Sequence, residues 1–212
     1  MKNLILLIVL FISTLNAFCQ GNTKPVLLSI DGSAPMADEP LQNTQGGDLT
    51  LNQAKRENGL IVIFSCNSCP FVVGTPDFPG WEKQYNALYD QALKYNVGLV
   101  LVNSNEGKRT GADSFDEMKK RANEQNYMMP YLLDKNSKMA DLFSAKTTPH
   151  VYYFNKEMCL VYMGSIDNIA DNKRKKDIPY LSMAMQAEAN GKKCKPNKTA
   201  PVGCSIKRIK KD

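Results

Sequence analysis

The chain has 212 residues, room for one domain and little more. With 43% hydrophobic and 23% charged residues its composition is that of a globular protein, which excludes a disordered or collagen-like chain. The 27 basic and 21 acidic residues leave a formal charge of +6, and residues 173–212 alone hold 12 bases against 3 acids. No aromatic residue interleaves with the lysines from Lys192 onward, as a base-stacking platform would need, so nucleic acid is not an expected partner.

The N-terminus reads as a secretory signal peptide over residues 1–19. Lys2 supplies the positive start, Leu4 to Ile12 is an unbroken apolar run, and Ala17 and Cys19 fit a small-x-small cleavage site before Gln20. The run is shorter than the roughly 20 residues a spanning helix needs. The expected mature protein is therefore periplasmic or secreted and does not span a membrane. Lipid attachment at Cys19 is the weaker alternative, because bulky Phe18 precedes it.

One folded domain is expected over 20–190, followed by a basic, solvated tail over 191–212. Lys24 to Ile30 reads as a short strand and Asp31 to Gly47 as loop, rich in Gly, Pro, Asp and Asn. Leu49 to Glu57 is a weak helix. Leu60 to Phe64 is a continuous apolar run with β-branched residues, the mark of a buried strand. A helical stretch follows, interrupted by Pro76, Pro79 and Gly80, and resumes near Trp81 until about Asn96. Trp81, Tyr85, Leu88 and Ala92 recur at helical spacing as core positions. Val97 to Val102 is a second buried strand. Ser114 and Glu117 form a capping box for a helix ending near Gln125. Tyr131 to Leu133 is a short strand and Ser137 to Phe143 a short helix. Val151 to Phe154 and Met158 to Met163 form a hairpin, and Ile178 to Asn190 is a last helix stopped by Gly191. Alternating strands and helices closed by a hairpin predict an α/β protein of thioredoxin fold, a central mixed sheet flanked by helices.

The chemistry concentrates in Cys66-Asn67-Ser68-Cys69-Pro70. Cys66 lies just past a buried strand and Cys69 where a helix begins. The helix N-terminus, with its unpaired N–H groups, stabilises a thiolate and is expected to lower the pKa of Cys66. Two intervening residues let the second sulfur reach the first. Cys66 and Cys69 are the expected redox pair, with a structural disulfide or part of a metal site as alternatives. Zinc needs about four ligands, and His150 is the only histidine; it is expected on the opposite side of its strand from Pro149. Neither a metal nor another cofactor is expected.

Thr147-Thr148-Pro149-His150 directly precedes a strand. In a thioredoxin fold a proline so placed is cis and faces the dithiol loop, and Thr148 would offer a backbone edge to a substrate. Of the remaining cysteines, Cys159 is expected to be a buried small hydrophobe. Cys194 and Cys204 flank a Pro-, Lys- and Gly-rich turn and could close a local disulfide, which an oxidising compartment permits.

The chain resembles the thioredoxin-like branch of the alkyl hydroperoxide reductase and thiol-specific antioxidant (AhpC/TSA) superfamily. Within it, the chain is similar to a redoxin subgroup marked by Cys-Asn-x-Cys-Pro. The matching stretches are 62–70, 102–105, 113–118, 148–150, 164–168 and 203–207. The resemblance implies disulfide exchange through Cys66 and Cys69, with Asn67, Pro70, Thr148 and Pro149 at the substrate. The implied partners are protein or small-molecule disulfides and dithiols, and an upstream redox partner. It also offers an alternative to the local disulfide, in which Cys204, within Gly203-Cys204-Ser205-Ile206-Lys207, exchanges with the active pair. Departures narrow this. Ser68 stands where the subgroup often has histidine, and Thr147 where relatives often carry cysteine. Ile63 and Gly59 occupy the places of a peroxidase's threonine and proline, and Leu60 that of thioredoxin's buried acid. A thiol peroxidase is therefore the second reading, and a metal-binding or metallochaperone module the third.

Overall fold

The computed structural model describes residues 28–209. The expected signal peptide and Cys19 lie outside them, as does most of the strand expected at Lys24 to Ile30. Among the described residues no helix is long and apolar enough to cross a membrane.

The described residues form nine strands and six α-helices. The strands are β1 (Leu41–Asn43), β2 (Asp48–Leu49), β3 (Leu60–Ser65), β4 (Gly98–Asn103), β5 (Tyr131–Leu133), β6 (Thr147–Thr148), β7 (His150–Phe154), β8 (Leu160–Gly164) and β9 (Cys204–Ser205). The helices are α1 (Leu51–Ala54), α2 (Pro70–Val73), α3 (Tyr85–Lys94), α4 (Phe115–Glu124), α5 (Lys138–Phe143) and α6 (Tyr180–Ala189). Seven strands form one mixed sheet in the order β2-β1-β5-β4-β3-β7-β8. β3 and β4 pair in parallel, as do β4 and β5, while β7 runs antiparallel to both β3 and β8. This is the α/β thioredoxin fold expected from the element order.

The central strands are buried on both faces, which is why β3 and β4 read as unbroken apolar runs rather than as alternations. Side-chain parity divides two cores between the faces of the sheet. Ile61, Ile63, Leu99, Leu101, Val151 and Tyr153 face one core, with Trp81, Tyr85 and Leu88 from the helical layer. Leu60, Val62, Phe64, Val100, Tyr152 and Phe154 face the other. Phe64, Phe143 and Tyr152 meet there edge to face at centroid distances of 5.2–5.6 Å. Ser114 caps α4, accepting from the Glu117 N–H.

Three elements differ from the sequence reading. The segment read as loop contains β1, which pairs with β2 around the Gly46–Gly47 turn, both glycines at positive φ, and then with β5. The stretch after Cys69 is not one interrupted helix: α2 ends at Gly74, and the chain loops back so that the Trp81 N–H donates to Phe71 O before α3 begins. The described lysines after residue 190 are exposed, as expected of a solvated basic segment, but the segment's backbone is bound along the domain and not free. Asn197 and Thr199 bond the end of β8 through Met163, Thr199 Oγ1 accepts from the Ser165 N–H, and Ile206 is buried in the second core. β9 then pairs antiparallel with β6, placing Thr147 opposite Ser205 and Thr148 opposite Cys204.

Candidate active site

β3 ends at Ser65, and α2 begins with Pro70, whose fixed φ suits the first helical position and whose missing N–H costs nothing there. The dithiol loop spans this gap. Cys66 and Cys69 are 1% and 3% exposed, whereas Ser68 and Pro70 are exposed and Asn67 is half-buried. Both cysteines are free thiols.

Thr148 brings the two sulfurs to one residue. Its Oγ1 lies 3.1 Å from Cys66 Sγ, and its backbone carbonyl accepts from Cys69 Sγ at 3.1 Å. The Thr148–Pro149 peptide is cis. Thr148 is not an open edge for a substrate strand, because β9 already pairs with it. Gly203 makes that approach feasible: a Cβ there would stand 2.2 Å from Thr148 O.

The two thiols titrate together. The Cys69 pKa is lowered to about 5, first by the hydrogen bond from Cys66, with burial acting against it and the Cys204 thiol and N–H adding to it. Cys66 is raised, first by that same bond with Cys69 and then by burial. The pair thus loses one proton below neutrality and keeps the other. This reverses the expectation of an acidic Cys66, because the shared hydrogen bond, and after it burial, hold the proton there. Thr148 works against the reversal. Its carbonyl can only accept, and so favours a protonated Cys69, while its hydroxyl can donate to a Cys66 thiolate.

A polar hub holds the loop from the other side. Asp113 is wholly buried, and its carboxylate accepts from the Asn67 N–H (2.7 Å), Ser68 Oγ (2.8 Å), Asn103 Nδ2 (2.8 Å) and Asn105 Nδ2 (3.1 Å). Asn67 also donates to Ala112 O at 2.9 Å and accepts from the Tyr131 hydroxyl at 3.0 Å. Asn67 therefore shapes the loop from within. Sequence reasoning did not assign Asp113, Asn103 or Asn105 a role. The signal was the cluster of amides at the C-terminal end of a buried apolar strand, where an uncapped polar run needs a buried partner.

His150 does not join the thiols. It shares the parity of Tyr152 and Phe154, facing the second core, and its ring lies tilted against that of Tyr152 with centroids 4.6 Å apart. Its Nδ1 accepts from the Lys146 N–H at 3.3 Å, and burial lowers its pKa to about 4. A metal site built from Cys66, Cys69 and His150 would have to reach through the sheet.

Cys194 and Cys204 do not pair. Cys194 tucks beneath α6, with Sγ 3.6 Å from Ala184 O. The intervening chain runs beside β8, where Lys198 bridges Met163, and carries Cys204 to the dithiol. There Cys204 packs on the same core as Cys66 and Cys69. Cys159 is half-buried in the turn after β7 rather than a core residue.

A buried dithiol between a central strand and a helix, facing a cis-proline strand, defines a thioredoxin-like redox protein. The AhpC/TSA family model matches residues 32–163, and the chain belongs to the AhpC/TSA family. Its structure is similar to that of an uncharacterized conserved protein from Geobacillus kaustophilus, with 27% identity over 88% of this chain and 95% of that one, at a TM-score of 0.77. A hypothetical protein from Sinorhizobium meliloti is 24% identical over 87% and 97% of the two chains, with a TM-score of 0.72. A peroxidoxin from Mycobacterium tuberculosis shares the fold at 12% identity, 77% and 97% coverage and a TM-score of 0.53. Comparison with curated proteins gives no match.

Proposed function

We propose that this protein is an exported thiol–disulfide oxidoreductase of the Cys-Asn-x-Cys-Pro type, acting through Cys66 and Cys69. The observation that carries this reading is the placement of both sulfurs on Thr148, each 3.1 Å from one of its oxygens. Moving the shared proton from Cys66 to Cys69 puts the charge on Cys66 and leaves Cys69 donating to the Thr148 carbonyl. Cys66 then attacks a substrate disulfide, forming a mixed disulfide and releasing one thiolate. Cys69 attacks Cys66 Sγ, closing the Cys66–Cys69 disulfide and releasing the second. Run backwards, the pair oxidises a dithiol. Protein or small-molecule disulfides are the substrates, and an upstream thiol resets the pair.

Exchange fits better than peroxide reduction. Ile63, in the place of a peroxidase's threonine, is wholly buried between Leu101 and Val151 and offers no hydroxyl to orient a peroxide. The test is catalysed reduction of oxidised glutathione or of a protein disulfide under dithiothreitol. Loss of the rate when Cys66 and Cys69 are both replaced by serine is expected; a rate unchanged in that double variant contradicts the reading. Export is tested separately by the N-terminus of the mature protein, expected at Gln20.

A further inference from the structure

Five thiols lie among the described residues, and the proposed exchange uses two. Cys159 and Cys194 sit away from the site, whereas Cys204 is brought to it by built structure. β9 is only Cys204–Ser205, yet the chain around it is fixed at several points. The Val202 N–H donates to Ser165 Oγ at 3.3 Å, the Ile206 N–H to Lys146 O at 3.0 Å, and the Lys207 N–H to Asn105 Oδ1 at 2.9 Å. Arg208 Nε reaches Asp141 at 2.6 Å. Gly203, where any Cβ would collide with Thr148 O, lets this segment lie against the residue that both active thiols touch. Cys204 stands opposite Thr148 in the antiparallel register, with its thiol toward Cys69 and toward the Phe71 N–H at the start of α2. Thr148, which both active thiols touch, is thus also the residue that Cys204 pairs with, and Cys204 packs on the same core as Cys66 and Cys69.

We propose that Cys204 is a third redox residue, which takes over Cys69 from Cys66. This rests on the dithiol reading above. Once the Cys66–Cys69 disulfide has formed, the Cys204 thiolate attacks Cys69 Sγ. The Cys69–Cys204 bond forms, the Cys66–Cys69 bond breaks, and its electron pair leaves on Cys66, which takes up a proton as Cys204 gives one to solvent. The step is an isomerisation: no electrons enter or leave, and no further oxidant is required. Its chemistry is favoured by oxidation itself. In the reduced protein, burial and the neighbouring Cys69 raise Cys204 to about 11. Closing the first disulfide removes the charge on Cys69 and with it that part of the restraint. The outcome is an oxidised protein whose Cys66 is again a thiol, with the oxidising equivalent held in the C-terminal strand.

The experiment oxidises the full chain with glutathione disulfide, quenches in acid, alkylates and maps peptides. In the wild type, a share of the oxidised molecules should carry alkylated Cys66 with a Cys69–Cys204 link, and that species should be absent from Cys204→Ser. In Cys66→Ser, Cys69 should attack glutathione disulfide and Cys204 should resolve the adduct, leaving the Cys69–Cys204 disulfide and no bound glutathione. A persistent glutathione adduct on Cys69, or a link from Cys204 to any other cysteine, overturns the relay. Cys204→Ser separates the two claims. If it still forms Cys66–Cys69 while Cys66→Ser stays glutathionylated, only the relay fails; if no variant nor the wild type joins Cys66 to Cys69, the dithiol reading fails as well.

Discussion

The Asp113 carboxylate accepts the backbone N–H of Asn67 at 2.7 Å, and so a buried charge from the loop before α4 fixes the residue next to Cys66. Three more donors converge on the same carboxylate. Such a group is costly to bury and is tolerated because each lone-pair direction is used. Asp113→Asn turns an amide NH2, itself a donor, toward donors that need acceptors. It should lower stability by about 1–3 kcal/mol in urea unfolding. It should also ease ionisation of Cys66, since the Asp113 charge is among the causes raising it. Unchanged stability would mean that the hub does not hold the loop.

Thr148→Val removes the hydroxyl but keeps the carbonyl facing Cys69. With about 1 kcal/mol for the lost hydrogen bond, alkylation of Cys66 at neutral pH should slow roughly fivefold. A rate equal to the wild type would remove Thr148 from the chemistry.

Because Cys69 is lowered to about 5 in the folded protein and titrates near about 8.5 when unfolded, the unfolded chain binds more protons between these values. Stability of the reduced protein should therefore rise with pH across that window, reach its full extent above about 8.5, and be lost as pH falls through about 5. Cys66, raised, acts in the opposite sense at higher pH. Absorbance of the thiolate at 240 nm should show the first ionisation near about 5, and a single step near about 8.5 would contradict the shared proton.

His150, the only histidine, is lowered to about 4 by burial. Its folded form resists protonation that the unfolded form accepts near about 6.5, so its contribution is present above that value and lost as pH falls through about 4. Its imidazole resonances in NMR should titrate near about 4; a midpoint near about 6.5 would place it in solvent.

Gly203→Val puts a branched side chain against Thr148 O, where even a Cβ stands at 2.2 Å. The central sheet does not include β9, so the fold should survive while β9 is pushed away. Cys204 should then alkylate several-fold faster in the native protein. An unchanged rate would show that the close approach is unimportant.

The apolar strands and the dithiol between strand and helix could be read from local pattern alone. Leu60 to Phe64 and Val97 to Val102 have no other stable home than the centre of a sheet. What escaped is what depends on contacts distant in sequence. β1 hides in a Gly-, Asp- and Asn-rich stretch because its partner, β5, lies about 90 residues on. β9 escaped because two residues carry no periodicity, and because the lysines around it read as solvated. Cys194 and Cys204 are near in sequence, yet the chain between them follows β8 and separates them. Proton sharing between Cys66 and Cys69 depends on burial, which spacing does not reveal.

The central claim is that Cys66 and Cys69 form a reversible dithiol, and its redox equilibrium tests this most directly. Cys204→Ser, equilibrated over a series of glutathione ratios and quenched in acid, isolates that couple. The account predicts one two-electron transition, following about 29.6 mV per tenfold change in the equilibrium constant, with Cys66 linked to Cys69 on the oxidised side. A midpoint near about −270 mV would mark a reductant and one near about −120 mV an oxidant. Thiols that remain free at every ratio, or a disulfide that leaves out Cys66, would contradict the account.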